Sequence, residues 1–98
     1  MIRFNVFQAR QQLINKGFVY TIRTGVKKDI DLAICNSGSA VMHMGKVKID
    51  FICFVITPYD LEFYVKDSGF IDKLEWYTLA CKLHKKRPLV LYRVELIK

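Results

Sequence analysis

Lys46-Val47-Lys48-Ile49-Asp50-Phe51-Ile52-Cys53-Phe54-Val55-Ile56 is polar on its even positions and apolar on its odd ones as far as Phe51, and from there apolar on both. Alternation with period two marks a strand with one wet face, and an unbroken apolar run marks a strand covered on both faces. One long strand therefore passes from a half-exposed surface into a core, as strands of small barrels do. Thr57-Pro58 ends it, because proline cannot donate to a ladder.

Upstream, Phe18-Val19-Tyr20-Thr21-Ile22-Arg23 is rich in β-branched and aromatic residues and reads as a strand closed by Thr24-Gly25. Phe18, Tyr20 and Ile22 share one face, which reads as core, and Val19, Thr21 and Arg23 share the other. Residues 30–35 alternate as a second short strand before the turn residues Asn36-Ser37-Gly38-Ser39. Before both, Phe7, Arg10, Gln11 and Ile14, with Val6 and Leu13 alongside, recur at helical spacing up to the stop Asn15-Lys16-Gly17.

Downstream, residues 60–66 suit a helical turn or two, broken at Ser68-Gly69. The helix of residues 72–85 is bounded by Asp72 with Glu75 three positions on, close to a capping box. Lys82, Lys85 and Lys86 lie at its far end, where they suit the negative pole of the dipole. After Pro88, Val90, Tyr92, Val94 and Leu96 alternate with Leu91, Arg93 and Glu95 in a final strand. Strands separated by too few helices for repeated βαβ units imply an α+β domain with a small, mostly antiparallel barrel or bent sheet.

The 98 residues, 52% apolar and 26% charged, suit one domain over residues 1–98 and exclude a disordered chain. Sixteen Lys and Arg against nine Asp and Glu leave a formal charge of +7, which attracts polyanions such as nucleic acid or an anionic membrane surface. Cys35, Cys53 and Cys81 form no C-x-x-C pair and are odd in number, so no disulfide framework is expected. The first ten residues carry charged and polar groups where a secretory leader needs an apolar run, and the apolar run 51–56 is too short to cross a bilayer. The expectation is a reduced, cytoplasmic chain without membrane attachment. His43 and His84 are not spaced with the cysteines as metal ligands, and Asn36-Ser37-Gly38-Ser39 lacks the lysine of a phosphate loop. No metal and no cofactor are expected.

Taken together, Gly17-Phe18-Val19-Tyr20-Thr21-Ile22-Arg23, a strand near Asp31, Gly45-Lys46-Val47, then Asp67-Ser68-Gly69-Phe70-Ile71-Asp72-Lys73-Leu74-Glu75-Trp76 and the terminal Val90-Leu91-Tyr92-Arg93-Val94-Glu95 form a recognisable layout over nearly the whole chain. It resembles the ASCH domain of the PUA-like superfamily, in which a helix leads into a G-x-K-x-x-T-x-R strand and a D-G-F-x-x-x-E-F element opens a later helix. The resemblance implies a small PUA-like β-barrel with flanking helices, and a cleft between them that takes RNA or a modified nucleobase. Some small bacterial members resembling this chain are amidohydrolases that remove the acetyl group from acetylated cytidine with a Lys, a Thr and a Glu. By motif the Thr falls on Thr21 and the Glu on Glu75, but the Lys position holds Phe18, which supplies neither proton nor nucleophile. Catalysis therefore requires a stand-in such as Lys16, and the departure favours a binding protein over an enzyme.

The expected ligand site comprises Thr21, Arg23 and Glu75. Trp76 serves as a stacking platform, and Lys82, Lys85, Lys86 and Arg87, in one basic cluster with His84, provide phosphate contacts. On one strand face the Arg23 guanidinium and the Thr21 hydroxyl lie about 7 Å apart at ~3.3 Å per residue, a pair suited to a phosphate or a base edge. Each residue also has a plainer use: helix capping for Glu75, core packing for Trp76 and dipole compensation for the basic cluster. A protein-interaction module that keeps the fold without the ligand is a further expectation, since a fold does not fix a function.

Overall fold

The computed structural model describes residues 1–97. A two-residue strand β1 (Ile2–Arg3) leads to helix α1 (Phe7–Lys16), then strands β2 (Phe18–Arg23), β3 (Ile30–Ser37) and β4 (Ala40–Val55). Two 3-10 turns (Pro58–Leu61 and Val65–Asp67), helix α2 (Lys73–Leu83) and strand β5 (Leu89–Leu96) complete the chain. All five strands belong to one sheet in the order β1-β3-β4-β5-β2, parallel only between β1 and β3. The domain is α+β, with the sheet curled into a half-barrel and a helix on each side.

The long strand is what curls the sheet. Against β3 its register slips at Ala33/Ile34, leaving Met44 between the paired His43 and Gly45; against β5 it slips at Phe51/Cys53, leaving Ile52 unmatched. An extra residue on one strand of a pair bends that strand and raises its twist, and β4 carries two such points along its 16 residues. β4 starts six residues earlier than the alternation indicates. Its first part belongs to an exposed hairpin whose two-residue loop has Gly38 at φ +62 in the first position, a turn that matches the twist of the flanking strands. Backbone pairing holds that hairpin, and Val41 and Met42 are exposed, so no apolar period marks it.

β5 is central and buried on both faces. Val90, Tyr92 and Val94 enter one cluster with Ala9, Leu13, Val19 and Val47, whereas Leu89 and Leu91 enter a second with Ile22, Leu61, Trp76 and Ala80. β2 divides in the same way: Ile22 is buried on the expected face, where Phe18 and Tyr20 are half-buried, and, unlike the expectation, Val19 and Thr21 on the opposite face are buried too. The cause is α1, which covers the odd-numbered face. α1 itself is also rotated relative to the expected face, since Ala9 and Leu13 are its buried residues, whereas Phe7 is 61% and Ile14 54% exposed. Gly17, at φ +83, ends α1 by donating its amide to the Leu13 carbonyl at 2.9 Å.

The Ser68-Gly69-Phe70 element explains the rotation. Ser68 is fully buried; its hydroxyl donates to the Val65 carbonyl at 2.6 Å and accepts the Phe70 amide at 3.0 Å. That tight turn brings Gly69, at φ +89, directly against the backbone of Gln8 and Ala9 in the first turn of α1. Only a residue without Cβ fits there, and small Ala9 rather than bulky Phe7 must face the contact.

Among the described residues no helix is long and apolar enough to cross a membrane. Cys35, Cys53 and Cys81 are free thiols.

Candidate functional site

β1 and β2 are the two outer strands of the curled sheet, and no hydrogen bonds join them. Where they face each other the barrel stays open, and a cleft of about 430 Å³ occupies the seam. Arg3, Phe4 and Asn5 form one wall and Tyr20 to Arg23 the other; Trp76, Leu79, Leu83 and His84 of α2 and its C-terminal cap close the third side. No Asp or Glu lines this cleft among the described residues.

Arg23 is the organising side chain. Its Nε donates to the Thr21 hydroxyl at 3.1 Å, and its guanidinium carbon lies 4.8 Å from the centroid of the Phe4 ring, so one side chain spans the open seam. Thr21 and Arg23 converge because they are two residues apart on one strand face, and Thr21 is 6% exposed. Among the described residues no carboxylate lies within ion-pair distance of Arg23, and neither Nη makes a hydrogen bond, although both keep access to solvent. Burial lowers the Arg23 pKa to about 10, so the group remains a cation at neutral pH with its charge poorly hydrated. A desolvated cation with a free donor edge and no acid nearby is an anion-binding arrangement.

His84 lies on the same cleft at the C-terminal cap of α2. Burial holds its pKa below the ordinary value, and the positive charge of Arg23 adds to the effect; the Ile22 carbonyl opposes it and Arg87 reinforces it. The imidazole is therefore neutral at physiological pH when the cleft is empty.

Trp76 lines the cleft as expected, but as a buried wall rather than an open platform: it is 4% exposed and stacks on Phe70 with the rings 6.3 Å apart and 11° from parallel. Tyr20 contributes a second aromatic edge and is itself held by Tyr64 at 4.9 Å.

Glu75 does not join Thr21 and Arg23. It is exposed in the first turn of α2, where Asp72 Oδ1 accepts the Leu74 amide at 2.8 Å. The inward-facing positions of α2 begin at Trp76, a rotation of about 100° from Glu75. Lys16 is also elsewhere: it is exposed at the end of α1, beside a separate depression shared with Gly17, Gly45 and Glu95. Phe18, at the lysine position of the family motif, lies under the guanidinium of Arg93 at 4.7 Å. Thr21, Glu75 and Lys16, the residues that the resemblance would assign to amide hydrolysis, are therefore not brought together.

Lys82, Lys85, Lys86 and Arg87 surround the end of α2, on both sides of His84 in the chain, and all four are exposed. Arg87 Nη1 donates to the His84 carbonyl at 2.7 Å, which caps the helix and draws one member of the cluster back toward the cleft.

The wall supplied by Arg3, Phe4 and Asn5 carries no clear signal in the sequence, whereas His84 is readable there only as a member of the basic cluster around Lys82, Lys85, Lys86 and Arg87. A two-residue strand has no period to detect, and His84 sits among lysines that mask it. No family model, no curated protein and no solved structure matches this chain. No cluster of three or more potential metal ligands exists among the described residues.

Proposed function

We propose that this protein binds RNA or a modified-nucleobase ligand in the seam cleft, with Thr21 and Arg23 as the central contacts and the lysines around the end of α2 adding affinity for phosphates. The observation that carries the reading is the Arg23 guanidinium, held by Thr21 and Phe4, desolvated and without a carboxylate partner among the described residues. An unpaired cation in a cleft costs folding stability, and a bound anion recovers that cost. The cleft's volume suits a single base, held between the apolar side chains of α2 and the Tyr20 edge rather than on an open stacking platform.

The fold reading that accompanies it is a PUA-like domain of the ASCH type. Its support is the order of elements: a helix into the Thr21-x-Arg23 strand, the Ser68-Gly69-Phe70 turn before the second helix, and a closing strand on a curled sheet.

The test is titration of a single-stranded RNA oligonucleotide at several salt concentrations. Affinity falls steeply between low and moderate salt, and Arg23→Ala weakens binding by at least about tenfold, the worth of a charge-assisted hydrogen bond. Absence of binding by the wild-type protein at low salt refutes the proposal, and a protein partner that survives Arg23→Ala replaces it with an interaction module.

A further inference from the structure

Three groups lining the cleft can carry positive charge, Arg3, Arg23 and His84, and only Arg23 has figured in the site so far proposed. Arg23 offers free Nη donors from β2; His84 faces the same space from the end of α2. The other titratable or charged groups around His84 are Arg3 and Tyr20 on the cleft walls, Arg87 behind it, and the exposed Lys82, Lys85 and Lys86 that flank it in the chain, and among the described residues none of the cleft-lining groups is acidic. Arg3 is partly engaged, since its Nη1 donates to Asn36 Oδ1 at 2.7 Å. The cleft is thus cationic without internal compensation.

We infer that Arg23 and His84 together form a seat for one phosphate group, so that the cleft takes a phosphate-bearing nucleotide in preference to a neutral nucleoside or free base. The inference rests on the nucleobase-ligand reading above and adds to it the part of the ligand that the site recognises.

The electrostatics give the seat a measurable property. In the empty cleft, burial and the field of Arg23 both disfavour the imidazolium. A phosphate placed against Arg23 cancels that field and offers His84 an acceptor, so the imidazole gains a proton as the ligand binds. The sign follows: affinity rises as pH falls through the window between the bound and free pKa values of His84, and the complex takes up a proton. A neutral nucleoside produces neither effect.

The experiment compares uridine with the dinucleotide UpU, whose single phosphodiester does not titrate between about pH 5.5 and 8. Binding to the full chain is followed at both pH values while the His84 ring is tracked by NMR. UpU binds about tenfold more tightly at the lower pH than at the higher, the effect of one unit in the His84 pKa, whereas uridine binds weakly and without pH dependence. In His84→Gln, which keeps a polar side chain but cannot be protonated, UpU binding is flat with pH. His84→Asn repeats the test with a shorter amide, and exposed His43 serves as the internal control for unspecific titration. Tight UpU binding with no pH dependence, retention of the dependence in both His84 variants, or equal affinity for uridine overturns the phosphate seat and leaves the nucleobase reading standing. Failure of both probes and of longer RNA to bind at either pH overturns both.

Discussion

Gly69→Ala tests the packing that sets the cleft's shape. A Cβ on Gly69 collides with the Gln8 carbonyl oxygen and stands 2.5 Å from its carbon and 3.1 Å from the Ala9 nitrogen, all of them backbone atoms that cannot rotate away. Relief requires α1 and the Ser68-Gly69-Phe70 turn to separate, which strains the buried Ser68 hydrogen bonds and moves Ala9 and Phe70, both on the cleft. Overpacking of this kind costs about 1–3 kcal/mol, and the left-handed backbone adds roughly 1–2 kcal/mol for any residue with a Cβ. The total is about 2–5 kcal/mol, a large fraction of a small domain's stability. Gly17→Ala is the control: φ is almost the same at +83, but the space around its Cβ is open, so only the backbone part is lost. Urea denaturation followed by the fluorescence of Trp76, the sole tryptophan and a buried one, measures both. At a slope of about 2 kcal/mol per molar urea, Gly69→Ala lowers the midpoint by roughly 1–2.5 M and Gly17→Ala by roughly 0.5–1 M. Equal midpoint losses in the two variants refute the claim that close approach, rather than backbone conformation, is the reason for glycine at position 69.

Arg23→Met separates binding from stability: the methionine stem fills the same space without a charge to desolvate, so thermal unfolding stays level or rises by up to about 5 °C while RNA binding is lost. A fall in stability comparable with a core truncation refutes the view that Arg23 is held at a cost. Thr21→Val keeps the buried shape but removes the acceptor for Arg23 Nε; calorimetric titration shows binding weakened about three- to tenfold with the fold unchanged. Replacing Lys82, Lys85 and Lys86 together with Ala lowers the slope of log affinity against log salt by about 0.7 for each phosphate no longer neutralised, whereas Arg23→Ala alone changes affinity more than slope. Asp60 Oδ2 accepts the amides of Ile56 and Thr57 at 2.8 and 2.9 Å, and these bonds, Thr57's foremost, depress its pKa. Its contribution to stability is complete above the unfolded carboxylate range and is lost as pH falls through the lower folded value, so Asp60→Asn flattens the acid limb of a stability-pH curve.

The fold was legible where burial imposes a period. β5, whose alternate residues enter two different clusters, and the part of β4 from Lys46 onward both announce themselves in the sequence, and Gly17 and Pro58 mark boundaries the structure keeps. β1 and the first part of β4 do not, because backbone pairing alone holds two residues in one case and an exposed hairpin in the other. Facing is harder to read than existence. Phe7 and Ile14 look like the inner stripe of α1 on hydrophobicity, but the contact of Gly69 with Gln8 and Ala9 decides the rotation, and that contact joins segments about sixty residues apart. The same distinction separates the site residues. Thr21 and Arg23 meet because two residues of strand always return to one face, whereas Glu75 and Thr21 could meet only through the rotation of α2, which directs Trp76 inward instead.

The position of the cleft follows from how the sheet manages its edges. An exposed edge strand invites pairing with another chain, and a fully closed barrel removes the edges altogether. Here β4's two irregularities curl the sheet far enough to bring β1 and β2 face to face, but β1 has only two residues and cannot zip the seam. Side chains bridge it instead, Arg23 from one edge across the ring of Phe4 from the other, with α2 laid over the opening. The chain's one desolvated, unpaired guanidinium among the described residues therefore sits where the backbone is left unjoined. A longer β1 that paired with β2 would remove the exposed edges and the cleft together, so in this architecture the open seam is the condition for the proposed ligand site.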